Sequence, residues 1–362
     1  MNAMPATINL DDTESLIAAD RDALLRAVSS AGAQVRGTSA TLDEGALDSI
    51  RGEDRPRTVV WVGGRGTAET AGVMLASALG AVAAEPIVVA ADAPPWIGAL
   101  DVLIVAGDDA GDPALVGAAA TGVRRGARVV VAAPYEGPLR DTTAGRVAVL
   151  ESRIWVPDQF RLCRYLAAGL AVLQSVDAGL TTDLAVLADE LDSEALRNSA
   201  GRELFTNPAK ALAERMSGRR VALAGDCAAT LALARHGASV LLRIGHQVAA
   251  AAGLADALVA LHETAAHDYS ADALFHDEQI DGPLPERLRV LALTLAAERP
   301  VVAARTAGLA DVDLVGAEDV PDVPDMAAGA PVLVGLQRAE QQLAILAVRL
   351  EMAAVYMRLV RG

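Results

Sequence analysis

Arg57-Thr58-Val59-Val60-Trp61-Val62-Gly63-Gly64-Arg65-Gly66-Thr67 is a β-branched run broken by a glycine turn, and an alanine-rich stretch over 68–78 follows it. Val59 to Val62 show no polar alternation. Such a run predicts a strand covered on both faces, as in a parallel sheet. The glycines allow a tight turn, and the alanines favour a helix after it. The same succession returns at Arg220-Val221-Ala222-Leu223-Ala224-Gly225-Asp226, with a helical run over 228–242 behind it. One strand, glycine turn and helix is common; its return in the second half predicts two similar α/β units in tandem.

Working outward, further strands are expected at 87–89, 102–105 and 128–131 in the first half, and at 257–261, 273–275, 290–295 and 312–314 in the second. A helix over 114–123 ends at Gly126. Strands alternating with helices imply three-layer domains with parallel sheets. The expected organisation is a helical appendage over 1–55, a first domain over 56–157 and a helical bridge over 158–216. A second domain over 217–330 and a closing helix over 331–362 complete it. Pro157 and Asn207-Pro208 mark the bridge. Leu336, Leu343, Leu346, Leu350 and Ala354 form a stripe that predicts an amphipathic closing helix, packing across domains or across a homodimer.

The chain has 362 residues, 52% of them hydrophobic, enough for two cores. Aromatics are only 3%, so those cores must be built from Ala, Val and Leu. A net charge of -16 argues against a nucleic-acid partner, which demands clustered Lys and Arg. Lys210 is the only lysine, so no mechanism can use a lysine elsewhere. Cys163 and Cys227 lie far apart and give no metal-ligand spacing. Asp11, Asp12 and Glu14 precede any basic residue, unlike a signal peptide, and no apolar run is long enough for a membrane span. The expectation is a cytoplasmic protein with no metal and no cofactor. Gly63-Gly64-Arg65-Gly66 does not fit the dinucleotide fingerprint G-x-G-x-x-G.

Trp61-Val62-Gly63-Gly64-Arg65-Gly66-Thr67-Ala68 resembles the glycine-rich first turn of the bacterial and archaeal bifunctional phosphoglucose/phosphomannose isomerases. Asp277-Glu278 with Gly282-Pro283, and the terminal 346–359 stretch with Val355-Tyr356, are similar to two later segments of that family. More narrowly, the chain resembles the divergent actinobacterial TobH-like branch. The resemblance spans roughly residues 56–362 and implies two tandem SIS-type (sugar isomerase, flavodoxin-like) domains. It implies a sugar phosphate as partner, held at Gly63, Gly64, Arg65, Gly66 and Thr67. Amides at a helix start and the helix dipole suit such an anion.

The sequence departs from the family pattern at four points. The family's hydroxyl-rich loop after the third strand is replaced by Ala106-Gly107-Asp108-Asp109-Ala110-Gly111-Asp112-Pro113. These aspartates either repel a phosphate or simply cap a helix start. Where the family carries its base, this chain has Arg243-Ile244-Gly245-His246-Gln247, with His246 as the substitute candidate. Its ring-opening segment corresponds to His262-Glu263 or His267-Asp268, with His276 a weaker third. No lysine follows the closing helix, and Arg358 or Arg361 cannot donate a proton near neutral pH. Three readings stand: an isomerase-like protein of carbohydrate metabolism acting on hexose 6-phosphates through His246, His262, Glu263 and His267; a non-catalytic protein that binds a sugar phosphate or sugar nucleotide; or a structural partner acting through a dimer surface and its alanine-rich helices.

Overall fold

The computed structural model describes residues 8–52, 54–268, 287–319 and 338–361, with the backbone alone over 264–268. The chain divides into two compact units. One holds residues 26–196 and 338–348; the other holds 1–25, 197–337 and 349–362. Two short helices, α1 (Thr13–Ala19) and α2 (Leu24–Val28), open the chain.

The unit containing residues 26–196 is built on five parallel strands: β1 (Thr58–Gly63), β2 (Ile87–Ala90), β3 (Asp101–Ala106), β4 (Arg128–Ala132) and β5 (Ala148–Val149). Their order is β2-β1-β3-β4-β5. Val59 pairs with Ile87 on one side and with Val102 on the other. Around them lie α3 (Ala31–Asp43), α4 (Thr67–Leu79), α5 (Pro113–Arg124), α6 (Gly137–Thr143), α7 (Leu162–Val176) and α8 (Leu184–Arg197). Val60, Val62, Leu103, Val105, Val129 and Val131 point to one face and pack on Leu115, Ala118, Ala119 and Leu139. The other face carries Trp61, which α4 and α7 cover through Gly72 and Gly169. Both faces are thus buried, as the unbroken apolar strands require.

The second unit carries α9 (Pro208–Met216), β6 (Arg220–Gly225), α10 (Ala228–Arg243), β7 (Ala249–Gly253) and α11 (Leu254–Asp268). It continues with β8 (Leu288–Leu293), α12 (Arg299–Thr306) and β9 (Val312–Val315). The strands are parallel and ordered β7-β6-β8-β9, repeating the first four strands of the other sheet. The repeated strand-turn-helix is therefore the first element of two sheets with one topology. Ala222, Ala224, Val290 and Ala292 meet Leu254, Ala257 and Leu261 of α11 and Val302 of α12.

One sequence expectation needs correction here. Residues 257–261 belong to the helix α11, not to a strand. Ala257 and Leu261 are buried while Val259 is exposed, a helical spacing. The second strand of this sheet is Ala249–Gly253 instead, four alanines whose weak strand preference hid it. The strand expected at 273–275 lies outside the described residues.

The last helix, α13 (Ala339–Arg361), contributes its residues up to Val348 to the first unit and the rest to the second. The expected apolar stripe understates it: Leu343 to Val348 and Ala353 to Tyr356 are all fully buried. A helix covered on every side must partner its polar residues. Glu351 Oε1 lies 2.8 Å from His236 Nε2, and Arg349 donates to the Gly316 and Ala317 carbonyls at 2.8 and 3.1 Å. Burial pushes the Glu351 carboxyl up, and His236 pulls it back toward its ordinary value. Lys210 is also structural: buried in α9, it donates to the carbonyls of Ala200 and Arg202 at 2.8 and 2.7 Å.

Candidate functional site

In the order β2-β1-β3-β4-β5 the connections reverse between β1 and β3, and ligands of such sheets sit outside the carboxyl ends of the strands at that reversal. There β1 runs into Gly63-Gly64, and Gly64 N–H donates to the Ala106 carbonyl at 2.7 Å. A Cβ on Gly63 would stand 2.8 Å from the Glu69 backbone, so the turn closes only on glycine. Gly66, at φ +92°, precedes the first turn of α4. The Thr67 hydroxyl donates to the Asp158 carbonyl at 3.1 Å and is engaged with the protein. Arg65 is exposed and makes no ion pair among the described residues. The predicted residues Gly63 to Thr67 thus form a single turn that sets Arg65 beside the positive end of a helix dipole.

The neighbouring loop after β3 is acidic. Asp108 Oδ1 accepts from Arg161 Nη1 and from the Tyr165 hydroxyl, both at 2.6 Å. Asp109 accepts from Gly111 N–H at 2.8 Å, and Asp112 caps α5 by accepting from Ala114 N–H at 2.9 Å. The capping alternative therefore describes Asp112, while Asp108 is held by a guanidinium and a phenol. Burial, with the Asp108 charge adding to it, pushes the Tyr165 phenol up, so it stays a donor. Asp108 to Gly111 and Pro134 with Glu136 to Pro138 line an open cleft of about 520 Å³.

The second sheet reverses in the same way between β6 and β8. A Cβ on Gly225 would meet Leu231 N at 2.3 Å, so glycine is again obligatory. Cys227 caps α10 and exchanges hydrogen bonds with Thr230. Burial pushes its thiol up, the Thr230 contacts pull it down, and the Glu298 carboxylate adds to the rise. Asp226 pairs with Arg305. Thr294 Oγ1 and Glu298 Oε2 are buried with no hydrogen-bond partner among the described residues. Thiol, hydroxyl and carboxylate thus converge at the carboxyl edge of the second sheet.

The histidine candidates lie elsewhere. His246 sits at φ +49° in the turn between α10 and β7, at the amino end of the sheet. His262 and Glu263 are exposed on α11, so His262 does not follow a strand as expected. Among the described residues the His246 side chain bonds to neither. His267 lies on the last turn of α11, where only the backbone is described; His276, Asp277 and Glu278 lie outside the described residues. Arg161, Tyr165, Thr294 and Glu298 were not anticipated.

No protein-family model matches this chain, and no curated protein matches it in sequence. Solved structures do match. A protein from Clostridium difficile 630 assigned as a phosphosugar isomerase aligns over 94% of this chain and 93% of its own, at 10% identity and a TM-score of 0.60. Tagatose-6-phosphate ketose/aldose isomerase from Escherichia coli aligns over 94% of each chain, at 13% identity and a TM-score of 0.60. A glucose-6-phosphate isomerase-like protein from Thermus thermophilus aligns over 98% of this chain and 96% of its own, at 18% identity and a TM-score of 0.52. This chain has the sugar-isomerase fold. At these identities the likeness carries the fold and not the chemistry. Among the described residues of this fold, no three His, Cys, Asp or Glu side chains gather as metal ligands, and no helix is long and apolar enough to cross a membrane.

Proposed function

We propose that this protein binds a sugar phosphate at the carboxyl edge of its first sheet and does not interconvert aldoses and ketoses efficiently. The narrower kinship with the phosphoglucose/phosphomannose isomerases and their TobH-like branch belongs to this proposal. The observation that carries it is the Gly63–Thr67 turn, which closes on glycine at the strand-order reversal and leaves Arg65, at the amino end of α4, without an ion pair among the described residues. A phosphate there meets a guanidinium and helix-start amides. The reading of weak or absent catalysis is supported by the lack of any bond, among the described residues, between the His246 side chain and His262 or Glu263, both exposed on α11. An aldose-ketose shift needs a base and a ring-opening group on one substrate.

Titration calorimetry with fructose 6-phosphate tests the binding, and a coupled assay with glucose 6-phosphate and mannose 6-phosphate tests turnover. The expected result is binding that Arg65→Ala weakens by roughly tenfold or more, with no turnover. Absence of binding to any hexose phosphate defeats the proposal. Turnover that disappears in His262→Ala or His246→Ala restores the isomerase reading.

A further inference from the structure

The protein carries a net charge of -16, yet one of its clefts is lined, among the described residues, by basic and neutral residues alone. This cleft has a volume of about 490 Å³ and lies at the amino ends of β6, β7 and β8, the edge opposite Cys227. Arg219, Arg220, Arg361 and His246 line it over an apolar floor that includes Val248 and Leu288. Arg220 is exposed and makes no ion pair among the described residues. Arg219 stands 3.8 Å from Asp311, a half-exposed pair at a separation that leaves most of its charge available. Arg361 directs its guanidinium to neutral acceptors: the Gly245 carbonyl at 3.0 Å, the His246 carbonyl at 3.2 Å and Gln247 Oε1 at 2.7 Å.

The turn that presents His246 is built and strained. Gln247 is buried and donates to the carbonyls of Met216 and Arg219 at 3.0 and 3.3 Å. With Arg361 it fixes the backbone on both sides of His246. His246 itself lies at φ +49°, where a side chain other than glycine costs about 1–2 kcal/mol. Residues held against such a preference cluster at ligand sites. Here the strained turn places His246 in a cleft whose charged groups, among the described residues, are guanidinium donors beside the Gln247 amide.

We propose that this cleft is a second binding site, for a small phosphate-bearing anion, separate from the glycine turn of the first sheet. Guanidinium groups bind phosphate oxygens through paired charge-assisted hydrogen bonds, and an imidazole N–H adds one more. The volume falls within the usual span of small-molecule sites, roughly 300–1,000 Å³. The apolar floor suits an organic group attached to the phosphate.

The test is calorimetric titration of the full chain with inorganic pyrophosphate at low ionic strength. Pyrophosphate is expected to bind. Arg220→Ala should weaken it by roughly tenfold to a hundredfold while leaving fructose 6-phosphate binding unchanged. His246→Gly should raise the melting temperature, because glycine accepts the left-handed backbone, and should weaken pyrophosphate binding. A histidine that served only the fold would show the first effect without the second. No heat with millimolar pyrophosphate overturns the proposal, as does affinity unchanged in both variants. If affinity instead follows Arg65→Ala, the anion sits at the first sheet's glycine turn; this proposal then falls and the sugar-phosphate reading stands.

Discussion

Gly72→Ala should destabilise this protein, although a glycine-to-alanine change inside a helix ordinarily does the opposite. Gly72 lies on α4 against the indole of Trp61. A Cβ there would stand 2.3 Å from Trp61 Cδ1 and 2.5 Å from its Nε1. The ring cannot retreat, because Gly169 of α7 closes its far side: a Cβ on that glycine would lie 3.0 Å from Trp61 Cζ3. The indole N–H also donates to the Ala68 carbonyl at 3.0 Å. Overpacking costs about 1–3 kcal/mol and loss of the indole hydrogen bond about 1, against a helix gain of about 1. The net loss is about 1–3 kcal/mol, or about 2–4 °C in melting temperature for each kcal/mol. Gly117 on α5 supplies the control, since a Cβ there meets nothing within 4 Å. Gly117→Ala should gain up to about 1 kcal/mol. Trp61, Trp96 and Trp155 all belong to the unit with the first sheet, so tryptophan fluorescence during urea unfolding reports on that unit. A Gly72→Ala protein as stable as the wild type would refute the packing account of Trp61.

Four other outcomes follow from the same structure. Glu85 is buried with neither carboxylate oxygen hydrogen-bonded among the described residues, and burial, then the Asp177 charge, pushes its carboxyl up. A raised carboxyl stabilises the fold fully below its unfolded pKa and loses that contribution as pH rises through the folded value. Glu85→Gln should therefore raise the melting temperature at pH 7 and by less at pH 4; the reverse order in thermal scans would sink the argument. Glu351→Ala leaves the buried His236 ring nitrogen without its hydrogen-bond partner and should cost about 1–3 kcal/mol in urea titrations. Arg161→Met exposes the Asp108 charge and should lower fructose 6-phosphate affinity by roughly tenfold or more in calorimetry. Tyr165→Phe, which leaves Arg161 on Asp108, should lower that affinity by less, and equal losses would contradict the charge argument.

Sequence reading and structure agree where burial is two-sided and chemistry is local. Val59 to Val62 read as a covered strand and the glycines at 63–64 as a turn, and the structure shows why at Gly63, where a Cβ would stand 2.8 Å from the Glu69 backbone. Ala249–Gly253 could not be read, since alanine favours helix when isolated and becomes a strand here only by pairing with Val221 to Gly225. The short apolar run at 257–261 has no period long enough to separate helix from strand. The glycine turn was legible at Gly63 to Thr67 for the same local reason, and its use as a binding site remains the proposal made above. The surroundings of Asp108 were not legible, because its partners Arg161 and Tyr165 lie more than fifty positions away and meet it only through the fold. Thr294 and Glu298 share this limit, because an unpartnered buried oxygen is a property of packing.

The Asp108 cluster bears on how a sugar-isomerase fold with an acidic loop could still hold a sugar phosphate. A bare carboxylate about 4 Å from a phosphate charge repels it by about 4 kcal/mol at an effective dielectric near 20. With Arg161 at 2.6 Å, the charge at Asp108 is largely cancelled by an opposite one. At Asp108 the loop is then neither a phosphate seat nor a barrier, while Asp109 and Asp112, which accept only backbone N–H groups, keep the rest of it acidic. It has no side-chain hydroxyls to donate, so in the proposed reading phosphate recognition falls to the Gly63–Thr67 turn and Arg65. What the cleft at 108–111 and 136–138 does offer is acceptors, on Asp109 and Glu136. Acceptors suit the hydroxyl groups of a sugar. In the proposed reading the two loops divide the ligand: the basic turn takes the phosphate and the acidic cleft takes the sugar. Asp109→Asn should then weaken fructose 6-phosphate more than it weakens inorganic phosphate. Equal weakening of the two would place the whole ligand at the turn.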